Sequence, residues 1–262
     1  MLARQRQELI LARLSVDGAV RVTDLTEALG VSDMTIRRDL ETLAEQGLAE
    51  KVHGGATLPG TRTAKEPGFD TKAALGQPEK TAIAQAAISL VRPGMAIGLS
   101  GGSTTAVFAR ALAQLQGVTV VTNSLPVAET LHRSASQAGD STSVVLTGGQ
   151  RTPSDALVGP VAVRSLRSLN LDLAFLGVHG MDRRAGLTTP NLAEAETNQA
   201  LVASARQLVV LADHTKWGLV GLSSIAPLTA VDVLITDSGL DPQARTELAE
   251  LVGQLTVVDP VR

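Results

Sequence analysis

The first fifty residues carry apolar side chains at helical spacing in three consecutive stretches. Residues 3–16, 22–29 and 32–46 each place these side chains on one face, which predicts three short helices. Gly30 separates the last two and suits a tight turn, because glycine adopts positive φ at no steric cost. Arg4 and Arg6, near the start of the first helix, are within reach of DNA phosphate in one interpretation, but we expect them to lie in solvent. Helix, glycine turn and second helix in this order are typical of a helix-turn-helix.

The stretch 32–46 has the signals of the recognition helix, which enters the major groove of DNA. Ser32 is a suitable N-cap, and Gly47 is a suitable stop. Ile36, Leu40 and Leu43 recur at i, i+4 and i+7, so one stripe faces a core. The opposite surface carries hydroxyl, methyl and guanidinium groups, which read base edges and bind phosphates. With the N-cap, the predicted DNA contacts are Ser32, Met34, Thr35, Arg37, Arg38 and Thr42.

A predicted hairpin directly after this helix favours DNA binding over the alternative interpretation. That alternative is an ordinary amphipathic helix on which Arg37 and Glu41 form a solvated pair. Residues 49–57 have a strand, a Gly-Gly turn and a second strand. A recognition helix followed by a basic hairpin is a winged helix, whose wing would lie along the DNA backbone. The predicted wing contacts are Lys51, His53 and Gly54.

The remainder of the chain predicts a larger α/β domain. Proline and glycine concentrate in residues 58–78, so we place the winged helix at 1–60, a linker at 61–78 and the second domain at 79–262. There, helices alternate with short runs of Val, Ile and Leu, which predicts a mostly parallel sheet covered on both faces. The predicted strands are 95–99, 118–121, 143–146, 171–176, 208–211, 231–235 and 255–258.

Polar and glycine-rich loops follow five of these strands. Ligands bind beyond the carboxyl ends of the strands in an open α/β sheet, so we expect the loops to converge on one crevice. The candidate ligand contacts are Gly101, Gly102, Ser103, Thr104, Thr105, Thr122, Asn123, Gly148, Gly149, His179, Asp182 and Lys216.

The loop 100–105 is the most informative of the five, because two glycines precede three hydroxyl residues at a helix start. This pattern suits a small phosphate monoester, and it matches neither a Walker A loop nor a dinucleotide fingerprint. The alternative is a tight strand-to-helix turn without a ligand. Lys216 is the candidate charge partner of the anion, although a single loop lysine is commonly solvated.

Acidic and histidine side chains complete the list of candidates. Asp182, Asp213, Glu194 and Glu196 are candidates for sugar hydroxyls, but the two glutamates cannot both face one crevice from a helix. His132, His179 and His214 have no metal-ligand spacing, so we expect no structural or catalytic metal. We also expect no catalytic residue and no cofactor.

Composition narrows these hypotheses. The chain has 262 residues, 44% of them hydrophobic, which indicates a folded protein. It has no cysteine, one Trp, three Phe and no Tyr, which disfavours single-strand binding by aromatic stacking. The net charge is −3, and residues 1–58 hold seven basic and nine acidic residues, so DNA binding must use a local basic surface. Without a long apolar run or a signal-peptide pattern, we expect a cytoplasmic protein that contacts no membrane.

Several motifs together resemble the DeoR family of bacterial sugar-metabolism repressors. In the first domain these are VSDMTIRRDL at 31–40, Leu43, Gly47 and HGGA at 53–56. In the second they are SGGSTT at 100–105, VVTNS at 120–124, TGG at 147–149, AFLGVHGMD at 174–182, GLTT at 186–189, ADHTK at 212–216 and ITD at 235–237. The resemblance implies operator binding through the first domain. For the second it implies a fold similar to ribose-5-phosphate isomerase and related sugar-phosphate isomerases.

For the ligand, the resemblance implies sugar-phosphate contacts at Gly102, Ser103, Thr104, Thr105, Asn123, Asp182 and Lys216. We therefore expect a regulator, most simply a repressor, of carbohydrate genes that binds double-stranded operator DNA as a homodimer or homotetramer. The first alternative is a sugar-phosphate isomerase with an added DNA-binding domain. The second is a DNA-binding protein whose α/β domain only oligomerises. The sequence identifies neither the sugar, the operator, the oligomer size nor whether the ligand releases DNA or tightens its binding.

Overall fold

The computed structural model describes residues 2–17, 19–52, 55–57, 68–138 and 142–260. It divides the chain into two compact units, Met1–Pro67 (unit 1) and Gly68–Arg262 (unit 2). No helix among the described residues has both the length and the apolar character needed to cross a membrane.

Unit 1 has the predicted winged helix-turn-helix. Its elements are α1 (Ala3–Asp17), β1 (Ala19–Arg21), α2 (Val22–Leu29), α3 (Asp33–Glu45), β2 (Glu50–Val52) and β3 (Gly55–Thr57). Strands β2 and β3 form an antiparallel hairpin, and β1 pairs with the outer edge of β3. Gly30 makes the turn between α2 and α3 with φ +63°.

The core of unit 1 forms where the apolar stripes of its helices meet. Ile36, Leu40 and Leu43 of α3 are buried, as their spacing predicts, and they pack in one cluster with Ile10 and Leu14 of α1. Burial of a Leu or Ile side chain contributes about 1.5–3 kcal/mol, so this cluster fixes α3 against its support. The opposite face of α3 is thereby directed outward.

The expectation that Arg6 lies in solvent is wrong. Arg6 is buried and donates two hydrogen bonds to the carboxylate of Asp39, one from Nη2 at 3.1 Å. Asp39 is also buried, accepts a 3.2 Å bond from Gln7 and raises the pKa of Arg6 further above its usual value. Because Asp39 lies on the inner side of α3, this ion pair joins α3 to α1. Arg4 does lie in solvent, where it pairs with Glu8.

Unit 2 is a parallel sheet with helices on both faces. Its helices are α4 (Phe69–Ala74), α5 (Gln77–Ile88), α6 (Ser103–Leu112), α7 (Leu125–Ala138), α8 (Pro160–Arg167), α9 (Leu192–Ala203) and α10 (Pro242–Leu251). Its strands are β4 (Ala96–Leu99), β5 (Thr119–Thr122), β6 (Ser143–Leu146), β7 (Gln150–Arg151), β8 (Leu157–Val158), β9 (Leu171–Gly177), β10 (Gly180–Asp182), β11 (Gly186–Thr189), β12 (Ala205–Leu211), β13 (Ser223–Ala226), β14 (Val233–Asp237) and β15 (Gln254–Val258).

The main sheet has the strand order β15-β14-β12-β9-β4-β5-β6, and each neighbouring pair is parallel. One face packs on α5, α6 and α7, and the other on α8, α9 and α10. Coverage on both faces explains why the central strands are continuous apolar runs. Phe108 of α6 and Phe175 of β9 meet with ring centroids 4.5 Å apart.

Two parts of unit 2 differ from the sequence prediction. Residues 69–74, which composition assigned to the linker, form α4, and Phe69 packs on the core. Strands β10, β11 and β13 form a small antiparallel sheet that the sequence analysis did not predict. Its packing requires glycine, because a Cβ at Gly186 would lie 2.3 Å from the Ala226 carbonyl oxygen. Close approach between backbones at a glycine produces no periodic hydrophobic pattern in the sequence, so this sheet could not be predicted from such a pattern.

Candidate functional sites

The outward face of α3 carries most of the predicted DNA contacts. Met34 is 75% exposed, and Arg37 and Arg38 are exposed on the same helix. Thr35 and Thr42 are half-buried. An exposed methionine of this size beside two arginines has no role in the core of unit 1, and it suits contact with base edges and phosphates.

Local hydrogen bonds order this face. Ser32 has the extended backbone of an N-cap, and its Oγ accepts a 3.3 Å bond from the Thr35 amide. Thr42 Oγ1 donates to the Arg38 carbonyl oxygen at 3.0 Å. Arg37 pairs with Asp33, at 2.5 Å between Nε and Oδ1, and Asp33 raises the pKa of Arg37. The pair is about half exposed, so a DNA phosphate can compete for the guanidinium.

The predicted wing contacts lie largely outside the described structure. His53 and Gly54 fall outside the described residues, and Lys51 is described only as a backbone position in β2. The hairpin that would carry them is present, with Val52 opposite Gly55. The three wing contacts remain predictions.

The topology of unit 2 brings the predicted loops to one edge of the main sheet. Strands β12, β9, β4, β5 and β6 are consecutive neighbours, so the loops after their carboxyl ends form a continuous row. The loop residues in this row are 213–216, 178–179, 100–103, Asn123 and 147–149. Asp182 lies elsewhere, at the β10–β11 hairpin, where its Oδ1 accepts 2.8 Å bonds from the Arg184 and Ala185 amides.

The loop after β4 presents open donors at the start of α6. Gly102 is the N-cap with φ +154°, and no side chain caps this end of α6. The hydroxyl groups of Ser103 and Thr104 have no hydrogen-bond partner in the described part of the chain. Ser103 is half-buried and Thr104 buried. Uncapped amides beside available hydroxyls at a helix N-terminus are suited to an anion.

Other predicted contacts hold the loop itself. Thr105 Oγ1 donates to the carbonyl oxygens of Ser100 and Gly102, both at 2.9 Å. Asn123 accepts a 3.0 Å bond from the Gly101 amide and donates a 3.1 Å bond to the Leu157 carbonyl oxygen. Because both side chains are buried and bonded internally, they shape the loop.

Further predicted contacts also have internal partners. Thr122 is buried and donates to the Leu99 carbonyl oxygen at 2.8 Å. Gly149 has φ +126°, and a Cβ there would lie 2.5 Å from the Val158 carbonyl oxygen. Gly148 has φ +74°, so it too occupies a backbone conformation that favours glycine. His179 is half-buried, and its backbone amide donates to Thr188.

A charged cluster lies at the loop after β12. Asp213 is buried, and Lys216 and a hydrogen bond from Thr215 keep its pKa below the usual value although burial acts to raise it. Lys216 is half-buried and interacts with Asp213. Lys80 of α5 joins this cluster: it is 3% exposed, and burial lowers its pKa to about 8. The charge of Asp213 acts against this shift, and the charge of Lys216 adds to it.

Lys80 is a buried charged residue of this cluster that the sequence analysis did not single out. It occupies the inward stripe of α5 with Ile83, Ala84 and Ala87, at i, i+3, i+4 and i+7. A lysine on an apolar stripe is costly unless it has a partner, so its position in the pattern was an available signal.

His214 and Asp237 fix the backbone that carries Lys216. Asp237 Oδ1 accepts a 2.8 Å hydrogen bond from the His214 amide, and Asp237 Oδ2 lies 2.7 Å from the ring Nδ1 of His214. The hydrogen bond to Asp237 raises the pKa of His214. Of the acidic candidates, Glu194 is buried and accepts a 2.6 Å bond from Thr152, whereas Glu196 is exposed. The two glutamates therefore face different ways, as expected, and in the described residues no cluster of three acidic or histidine side chains is arranged for a metal.

The two units define a class of protein. Unit 1 presents a helix-turn-helix whose outward helix face carries Arg37 and Arg38, and unit 2 has a parallel α/β sheet whose carboxyl edge carries lysines and open hydrogen-bond donors. This is the domain architecture of a DNA-binding regulator with a sensor domain.

Comparison with known proteins supplies the family. Residues 6–62 match the DeoR-like helix-turn-helix domain, and residues 76–238 match the DeoR C-terminal sensor domain. The chain belongs to the DeoR family, and it is a DNA-binding transcriptional regulator and not an enzyme. The resemblance inferred from the motifs is confirmed.

Relatives of similar length support this assignment. The chain is 37% identical to the HTH-type transcriptional regulator GlpR of Haloferax volcanii over 262 residues, covering 100% of this chain and 99% of the relative. It is 34% identical to a putative aga operon transcriptional repressor of Escherichia coli O157:H7, covering 90% and 87%. It is 31% identical to the glycerol-3-phosphate regulon repressor of Escherichia coli K12, covering 89% and 90%.

The similarity to solved structures is weaker than the similarity to these relatives. Ribose 5-phosphate isomerase A of Methanocaldococcus jannaschii aligns with 53% of this chain and 53% of its own, at 24% identity and a TM-score of 0.37. We assign no residue role from it.

Proposed function

We propose that this regulator represses carbohydrate-metabolism genes and that a phosphorylated sugar, bound at the carboxyl edge of unit 2, controls its affinity for the operator. The observation that carries the proposal is the pairing of an uncapped α6 N-terminus, with available Ser103 and Thr104 hydroxyls, and a cationic cluster around Lys216. The names of two relatives, an aga operon repressor and a glycerol-3-phosphate regulon repressor, support the choice of pathway.

The chemistry of the edge favours a phosphate monoester over a neutral sugar. Backbone amides at a helix start and a lysine ammonium both favour negative charge, and charge-assisted hydrogen bonds are about twice as strong as neutral ones. Asp213 balances the lysines in the absence of ligand and is a candidate acceptor for sugar hydroxyls. The ligand acts here as an effector, and the proposal requires no cofactor and no metal.

DNA recognition in the proposal needs two copies of unit 1. Helix-turn-helix proteins commonly bind as dimers whose recognition helices enter successive major grooves, so we propose a homodimer or homotetramer. Bound ligand would favour an arrangement that misplaces these helices relative to the operator. The protein would work in the cytoplasm, in the compartment that holds its operator DNA.

A thermal-shift panel tests the sensing half of this proposal. The full chain is mixed with glycerol 3-phosphate, ribose 5-phosphate, fructose 6-phosphate, glucosamine 6-phosphate and the matching unphosphorylated compounds. A ligand at about a hundred times its dissociation constant stabilises the folded state by about 2.7 kcal/mol. We expect a shift with at least one phosphorylated sugar and none with its unphosphorylated counterpart. Equal shifts with both forms, or none at all, would contradict the proposal.

A further inference from the structure

Lys80 donates hydrogen bonds to backbone carbonyls at the end of α4, and ligand binding alone would not require these bonds. Its Nζ donates to the carbonyl oxygens of Lys72 and Leu75, both at 2.5 Å. Lys72 lies in the last turn of α4, and Leu75 is the residue that caps its C-terminal end. The ammonium thus adds a donor to the Lys72 carbonyl oxygen, which also accepts a 3.4 Å bond from the Leu75 amide, and it donates to the carbonyl oxygen of the capping residue itself. The negative end of the helix dipole attracts the cation.

The helix that Lys80 holds has a particular place in the chain. Helix α4 starts one residue after the division between the units, so it is the first helix of unit 2 after the DNA-binding unit. Helix α4 has other contacts as well: Phe69 packs on the core, the Phe69 amide donates to Pro153 at 3.4 Å, and Lys72 Nζ lies 3.3 Å from Ser154 Oγ. A helix of six residues is too short to be stable alone, so these contacts and Lys80 determine how firmly it is held.

Lys80 lies near the start of α5, and the end of α5 leads into the start of β4, so the ammonium belongs to the carboxyl edge of the main sheet, where the effector site is proposed. Lys80 interacts electrostatically with Asp213 and Lys216, which lie at the loop after β12. An ammonium has three donors, and two of them serve α4, so the third can serve an anion beside Lys216. The Lys80 ammonium therefore binds the C-terminal end of α4 and interacts with the charged residues of the loop after β12.

We propose that Lys80 is the positioning residue that couples effector binding to α4, by donating simultaneously to the bound phosphate and to the C-terminal carbonyls of that helix. An anion in the pocket fixes the ammonium in place and so tightens the attachment of α4, at the point where the chain leaves the DNA-binding unit. This inference rests on the proposed function, because it takes the effector to be anionic.

Amide hydrogen exchange on the full chain tests the coupling. Lys80→Met keeps the aliphatic volume and removes the donors. Lys216→Met is the matched control because it removes a neighbouring cation that, among the described residues, makes no hydrogen bond to α4. Without ligand, we expect exchange at residues 69–75 to be about tenfold to hundredfold faster in Lys80→Met, the range for losing hydrogen bonds to a charged group. We expect Lys216→Met to exchange there as the wild type does. If Lys80→Met does not fold, Lys80→Gln, which retains an N–H donor, replaces it.

The second arm adds inorganic phosphate and each phosphorylated sugar of the panel, with binding followed independently by thermal shift. We expect binding to slow exchange at 69–75 in the wild type and to leave it unchanged in Lys80→Met. Binding without any change at 69–75, or identical exchange in Lys80→Met and the wild type, overturns the coupling while the proposed function stands. If none of the probes binds, the proposed function fails and the coupling fails with it.

Discussion

The ion pair between Arg6 and Asp39 makes a quantitative prediction about the DNA-binding unit. The two side chains are only 10% and 5% exposed, and they join α1 to the recognition helix. Removing one partner of a buried pair costs about 3–5 kcal/mol, because the other charge stays buried without compensation. A unit of this size is stable by roughly 3–10 kcal/mol in total. Arg6→Met should therefore remove a large part of the stability of unit 1 and, with it, operator binding.

Urea denaturation followed by circular dichroism measures this effect, and two variants serve as controls. Arg4→Met breaks an exposed pair, with side chains 80% and 54% exposed, and should cost less than about 1 kcal/mol. The double variant Arg6→Met/Asp39→Leu replaces both charges by apolar groups and should recover most of the loss. Equal stabilities of Arg6→Met and Arg4→Met would refute the assignment of this pair as the link between the two helices.

Three further predictions concern the recognition helix, a glycine and a histidine. Arg38→Ala should weaken operator binding by about 1–3 kcal/mol in a mobility-shift titration while circular dichroism stays unchanged; intact affinity would remove Arg38 from the interface. Gly149→Ala should lower the thermal stability of unit 2 by more than about 1 kcal/mol, because its Cβ would lie 2.5 Å from the Val158 carbonyl oxygen; an unchanged melting temperature would contradict this. The raised pKa of His214 contributes stability that is fully present below about pH 6.5 and lost as pH rises through the raised value. His214→Gln should flatten that fall in unfolding free energy, and a slope equal to that of the wild type would contradict the role of its bond to Asp237.

Local patterns predicted the elements that bury one regular stripe. The spacing of Ile36, Leu40 and Leu43 was sufficient for α3, and continuous Val, Ile and Leu runs were sufficient for the parallel sheet. The contacts that escaped prediction join residues far apart in the chain. Arg6 and Asp39 are 33 positions apart, and each alone has the character of a surface residue.

The candidate pocket was predictable in outline but not in its division of roles. The strand-end rule placed all five loops and their glycines, together with Lys216, at one edge of the main sheet from sequence alone, and the strand order agrees. It could not separate residues that are available to a ligand, such as Ser103, from residues that hold the loop, such as Thr105 and Asn123. That distinction depends on which carbonyl oxygens lie nearby, and only the folded chain provides it. Lys80 was missed for the same reason, because its partners are carbonyl groups of another helix.

The most direct measurement is the affinity of the full chain for its operator with and without a bound phosphorylated sugar. An operator fragment is first identified by footprinting, and its dissociation constant is then measured across the sugar-phosphate panel in the wild type and in Ser103→Ala/Lys216→Ala. We predict that one phosphorylated sugar changes the wild-type constant by about 5- to 150-fold, the usual range of allosteric coupling, and leaves that of the double variant unchanged. A sugar phosphate that binds the protein, as shown by calorimetry, but leaves operator affinity the same would contradict the account.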